Sequence, residues 1–163
     1  MVSTEEDLRS RAERAVASVP DPELPFLTIA ELGIVREVAV RDGRVEVAIT
    51  PTYTGCPATA AIMADVGAAL AKAGIPDARV RTVLAPAWTT DWLSASARDK
   101  LAAAGIAPPG PERGGALFDA VPLACPRCGS ERTERLSPFG STPCKALHRC
   151  LACREPFEAF KCL

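Results

Sequence analysis

The 163-residue chain has a single histidine, eight aromatic residues, no long apolar run and almost no imbalance of charge. Each shortage excludes a class of protein. No stretch approaches about 18 uninterrupted apolar residues, so no membrane-spanning helix is expected. Met1 to Asp7 is polar and acidic, with neither a basic n-region nor an apolar h-region. No secretory signal is therefore expected, and the cytoplasm is the expected compartment. The formal net charge of −1 argues against a nucleic-acid binder. Up to residue 110 there are 11 basic and 14 acidic residues, and beyond it 8 and 6, a surplus too small to imply a phosphate partner. One histidine is a poor basis for a Ser-His-Asp hydrolase. No glycine-rich phosphate loop of either standard spacing is present.

Cysteine, by contrast, is plentiful. Seven cysteines without a leader point to metal binding in a reducing compartment rather than to disulfides. Cys125-Pro126-Arg127-Cys128 and Cys150-Leu151-Ala152-Cys153 are two knuckles separated by 21 residues, the ligand spacing of a four-cysteine zinc ribbon. Four sulfurs suit zinc or an iron–sulfur centre, and softness alone does not choose between them. A thioredoxin-type dithiol normally comes singly, after a strand of a βαβ unit. Cys144 and Cys162 are left over as a second thiol site: spectators, an additional soft pair, or a substitute for a knuckle cysteine.

The element pattern reads as α+β. Thr4 to Val19 has helical spacing, with Thr4 as its cap. Pro20, Pro22 and Pro25 stiffen an extended loop that carries Asp21 and Glu23. These carboxylates could serve as acid and base or as hard ligands; otherwise Asp21 caps a solvated turn. Gly33 to Ile49 reads as a hairpin about Asp42-Gly43, pairing Arg41 with Arg44, Val40 with Val45 and Val38 with Val47. A second helix is expected from Pro57 to Lys72, a strand from Arg79 to Leu84, and a third helix from Ser94 to Ala104. The expectation is a small three-stranded sheet with covering helices over residues 1–105, a Pro/Gly linker over 106–115, and a metal-stapled ribbon over 116–163.

Cys56 is the second site of interest. At the N-cap of a helix starting at Pro57, its thiol would be acidified by unpaired amides and the helix dipole. Gly55 lets the backbone approach closely, and Thr52 and Thr54 can donate to sulfur. A small cysteine filling a helix start is the plainer reading. Trp88 and Trp92, four residues apart, form either a binding wall or core anchors.

Asp21-Pro22-Glu23-Leu24-Pro25, Leu32-Gly33-Ile34-Val35 and Thr54-Gly55-Cys56-Pro57 resemble the signature of the iron–sulfur assembly domain family once labelled a domain of unknown function. Three further strings narrow this: Pro86 to Trp92, Phe139-Gly140-Ser141-Thr142, and Phe157 to Cys162. With the knuckles, they resemble the D-subunit family of the phenylacetyl-CoA epoxidase system over nearly the whole chain. The resemblance implies an accessory factor of aerobic phenylacetate degradation, not an enzyme. Such a factor would mature or deliver an iron or iron–sulfur centre to the oxygenase and reductase subunits. It implies that Cys56 holds iron or a cluster transiently, and that the ribbon carries structural zinc. One thiolate cannot hold a cluster alone, so Cys56 of a second copy, in a homodimer, would complete the site. The alternative is a zinc-ribbon adaptor that docks oxygenase to reductase without metal transfer. The chain itself has no ExxH carboxylate pair for a di-iron site and no dinucleotide fingerprint.

Overall fold

The computed structural model describes residues 2–53, 55–110 and 123–161. It divides into two compact units, Met1–Trp88 and Thr89–Leu163.

In the first unit, helix α1 spans Val2–Ala17, so Thr4 lies inside the first turn rather than capping it. Ala12 and Val16, one turn apart, are buried. The Arg11 guanidinium reaches the Ala73 carbonyl at 2.6 Å and so occupies one of the orphan acceptors at the end of the second helix. The proline-rich loop closes on itself: Asp21 N–H donates to Leu27 O at 2.9 Å, and Leu24 and Leu27 are buried. Strands β1 (Val35–Arg41) and β2 (Arg44–Ile49) form the expected hairpin in the expected register. Asp42 and Gly43 both have positive φ, 51° and 73°, as a type I′ turn requires. Val45, Val47 and Ile49 alternate into the core.

Helix α2 spans Thr59–Lys72 and buries Ile62, Val66 and Leu70 at four-residue spacing. It returns the chain to β3 (Arg79–Thr82), which pairs in parallel with β2 and gives the order β1-β2-β3. Its start is a correction. The Cys56 N–H bonds to Tyr53 O at 3.2 Å and the Thr59 N–H to Cys56 O at 3.1 Å, so a turn precedes the helix. Ala58, not Cys56, is the N-cap. Trp88 is buried, and its indole N–H donates to Leu32 O at 2.9 Å, so it is a core anchor.

The second unit begins with a 3-10 turn over Thr90–Trp92 and helix α3 (Ala95–Ala103), whose N-cap Ser94 accepts the Ala97 amide at 3.0 Å. Its sheet has the order β4-β7-β6-β5, from β4 (Ile106–Ala107), β5 (Thr133–Ser137), β6 (Lys145–Cys150) and β7 (Pro156–Phe160). The division after Trp88 differs from the boundary expected after residue 105. Helix α3 falls in the second unit, and Ile106 and Ala107, expected in a linker, pair in parallel with Glu158 and Ala159. The physical reason is that β7 would otherwise present an open edge, and these two apolar residues are buried where they pair with it. Pro108 and Pro109 then end the strand, because proline has no N–H to give to a ladder.

Candidate functional site

The two knuckles stand side by side in the second unit. Cys125 opens a turn closed by Gly129 N–H to Cys125 O at 2.9 Å, with Gly129 at φ 73°. Cys150 ends β6 and its N–H bonds to Glu155 O at 3.0 Å, with Arg154 at φ 64°. Pairing of Thr133 with Cys150, a Thr133 hydroxyl bond to Leu123 O at 3.0 Å, and Leu151 N–H to Arg132 O at 2.7 Å hold the knuckles together.

As a result, the donor atoms of Cys125, Cys128, Cys150 and Cys153 all lie within 4.8 Å of one another. Cys125 Sγ and Cys153 Sγ are 3.8 Å apart, Cys128 Sγ and Cys150 Sγ 3.6 Å. A tetrahedral ion with metal–sulfur bonds of about 2.3 Å sets its sulfurs about 3.8 Å apart, so the donor set fits one ion. The Cys153 amide pointing at Cys150 Sγ holds that thiol down to about 6. The Glu155 amide pulls Cys153 down, but burial and the three neighbouring sulfurs prevail and push it up to about 12. Four sulfurs this close cannot all ionise without a cation among them. Cys125 and Cys150 are buried, Cys128 and Cys153 exposed, so the group sits at the surface with one side sealed by Phe157 and Ala159.

Cys144 is outside this group. It is buried, with its sulfur 3.1 Å from the Thr142 hydroxyl. Cys162 and Thr54 lie outside the described residues. His148 stacks on Phe157 with ring centroids 5.7 Å apart. Burial, and then the Arg135 charge, lowers its pKa.

In the first unit, Cys56 is half-buried in the loop before α2. Its pKa is raised, the reverse of the helix-cap expectation. Burial is the main cause, and the Glu23 and Asp21 carboxylates add to it. The Ala58 amide and the Thr59 hydroxyl, both hydrogen-bonded to sulfur, pull the other way and lose. The proline loop therefore brings its two carboxylates into electrostatic reach of a thiol more than thirty residues away. Asp21 is 7% exposed and its carboxylate accepts the amides of Glu23 and Leu24 at 2.9 and 2.8 Å. It caps its own turn, but in a buried rather than a solvated setting, and burial raises its pKa against those bonds. Thr52 is buried in the same loop region. Thr59 escaped the sequence reading, although it stands three residues after Cys56, where a hydroxyl meets the preceding turn. Among the described residues, Cys56, Asp21 and Glu23 do not converge as three ligands on one point.

Comparison with known proteins bears on both units. The family described as an iron-sulfur cluster assembly protein matches residues 8–85, and the PaaD zinc beta ribbon domain matches residues 110–161. The chain is 45% identical over 150 residues to an Escherichia coli (strain K12) protein named as the D-subunit of a 1,2-phenylacetyl-CoA epoxidase, covering 91% of this chain and 89% of that one. It is 33% identical over 98 residues to a Porphyromonas gingivalis protein named Fe-S protein maturation auxiliary factor, covering 59% of this chain and 89% of that one. The crystal structure of a domain of unknown function, DUF59, from Bacillus anthracis superposes with a TM-score of 0.55 at 27% identity, covering 62% of this chain and 97% of that one.

Proposed function

Because the chain belongs to the D-subunit family of the phenylacetyl-CoA epoxidases, we propose that it is an accessory component of phenylacetate degradation. In this reading it matures or delivers an iron or iron–sulfur centre to the oxygenase and reductase subunits and does not itself turn over substrate. The carrying observation is the half-buried Cys56 thiol just before α2, in a domain of the iron–sulfur assembly family.

A thiol whose pKa is raised is a poor ligand until a cation arrives. Iron, the cargo, displaces the proton from sulfur to water or to a neighbouring carboxylate. The Cys56–iron bond forms from a sulfur lone pair, with no change of oxidation state. The Ala58 amide and Thr59 hydroxyl then stabilise the thiolate, and the negative charge of Glu23, which disfavours the bare thiolate, favours the cation. Protonation reverses the exchange, which suits transient holding. One thiol is too few for a cluster, so the remaining ligands come from outside this chain, from the client or from Cys56 of a second copy.

Cys125, Cys128, Cys150 and Cys153 would hold zinc, whose closed four-thiolate shell leaves no position for a reactant. In this reading the ribbon serves as a structural and docking module. The free cysteines of the described residues suit a reducing compartment, the cytoplasm.

Anaerobic reconstitution with ferrous iron and sulfide tests the reading. A visible chromophore in the wild type, lost in Cys56→Ala while one zinc per chain remains, supports it. A chromophore indifferent to that change removes Cys56 from the function. The second reading, an adaptor without metal transfer, is favoured by the lack of three converging ligands at Cys56 among the described residues. It expects a Cys56→Ser protein to restore full epoxidase activity in a deletion strain.

A further inference from the structure

The ribbon sheet carries, between β5 and β6, a loop that is fixed far more firmly than its position requires. Lys145 is 5% exposed, and its ammonium lies 2.6 Å from the Ser141 hydroxyl and 2.8 Å from Glu158 Oε2. The Glu158 carboxylate also accepts the Ser141 amide, and its Oε2 lies 3.1 Å from the Ser141 hydroxyl. Gly140 N–H bonds to Lys145 O at 2.8 Å, Lys145 N–H to Thr142 O at 3.1 Å, and Phe139 N–H to the Ser137 hydroxyl at 3.1 Å. The Lys161 ammonium closes the loop from just beyond β7 by donating to Pro143 O at 2.7 Å. The two strings Phe139 to Thr142 and Phe157 to Lys161 are thus interlocked.

This frame holds an apolar side chain out in water. Phe139, 64% exposed, is the most exposed large hydrophobic residue among those described, and the Lys161 ammonium stands 4.3 Å from its ring centroid. The neighbouring Leu136 is also exposed, at the residue where the β5–β6 register shifts between Arg135 and Ser137. Bulges re-aim side chains, and pinned loops carry no ordering cost on association. A fixed, exposed aromatic beside a cation is the composition of an interface anchor.

The cation beside the ring, Lys161, selects the occupant. Residues 123–161 carry seven basic and four acidic side chains. Two ion pairs, Glu158 with Lys145 and Glu134 with Arg149, cancel within the module and leave five basic and two acidic side chains. We propose that the Ser137–Lys145 loop is the docking surface of the ribbon, and that Phe139 enters an apolar pocket rimmed by carboxylates on a protein partner, with Lys161 facing those carboxylates. The proposal rests on the accessory reading for the choice of partner, the oxygenase subunits, and on the loop alone for the choice of surface.

The test is a titration of the full zinc-loaded chain against the purified oxygenase complex of the same organism, with sedimentation of the chain alone. Phe139→Ala should weaken binding about 30-fold, the loss of one anchor. Lys161→Glu should slow association and reverse its salt dependence. Phe139→Ala should keep the wild-type melting temperature; Lys161→Glu, which gives up the bond to Pro143 O, should lower it slightly. Both variants should keep the wild-type zinc content and reconstituted chromophore. Phe139→Ala binding within twofold of the wild type overturns the surface and leaves the accessory reading standing. A wild-type chain that does not bind the oxygenase complex overturns the proposed partner. A wild-type dimer that becomes monomeric on Phe139→Ala overturns it in favour of a second copy of the chain.

Discussion

The ammonium of Lys145 and the carboxylate of Glu158 form an ion pair of 2.8 Å in which the lysine is almost wholly removed from water and the glutamate only partly. Such asymmetry places the pair between two regimes. Exposed pairs contribute about 0–1 kcal/mol, while a buried charge stripped of its partner costs about 3–5 kcal/mol.

Glu158→Gln should therefore cost more than removal of a surface charge, about 2 kcal/mol, because Lys145 stays buried with a weaker acceptor. Burial pushes the Glu158 pKa up, but the bonds from Lys145 and Ser141 outweigh it and hold the group below its ordinary 4.5. A depressed carboxylate stabilises the fold fully above the unfolded pKa, and that contribution fades as the pH falls through the folded value. The stability difference between wild type and Glu158→Gln, followed by circular dichroism, should be full at pH 7 and shrink below about pH 4.5.

Two glycine substitutions separate clash from backbone strain. A Cβ on Gly140 would lie 2.6 Å from Glu158 Oε1 and 3.3 Å from Lys145 Cβ, so Gly140→Ala must displace the carboxylate from its bonds. A Cβ on Gly129 meets nothing within 4 Å, and the cost there is only that of a left-handed residue, about 1–2 kcal/mol. Thermal unfolding should find both variants destabilised. Only Gly140→Ala should also flatten the pH dependence assigned to Glu158.

Cys56 should alkylate slowly at neutral pH. Its pKa lies above the ordinary 9.0, chiefly through burial. Glu23→Gln removes a negative charge and should move the pH–rate profile for iodoacetamide towards lower pH. Thr59→Val removes a donor to sulfur and should move it higher. A profile that neither substitution shifts would separate these groups from the thiol.

Metal removal should act on one unit only. A four-thiolate ion would be folding free energy for a module in which two of the thiols, Cys125 and Cys150, are themselves part of a small core with Ala107, Phe157 and Ala159. Chelation, or Cys150→Ser, should open residues 123–161 to protease while the fragment around residues 2–88 persists. Simultaneous digestion of both would contradict this prediction.

Trp88→Phe should destabilise the first unit by about 1–2 kcal/mol, since the Leu32 carbonyl loses its indole donor. Denaturant unfolding should register this loss without any change in zinc content.

Much of this molecule could be read along the chain. The hairpin register follows from Asp42-Gly43, because a two-residue turn fixes every pair beyond it. The clustering of the four knuckle sulfurs follows from the two CxxC spacings, because each knuckle aims its own two sulfurs at one point. The family signature also lies in short contiguous strings. The start of α2 did not follow, since Pro57 suits a first helical position and equally suits the turn that stands there.

Sequence alone determined the local elements, the donor set and the position of the thiol before a helix, since each rests on neighbours a few residues apart. Tertiary structure decided three other things. It recruited Ile106 and Ala107 to the edge of β7, buried Lys145 against Glu158, and raised the Cys56 pKa by burial and by Glu23 and Asp21. All three depend on groups distant in the chain, and desolvation and Coulomb forces act through space rather than along the backbone.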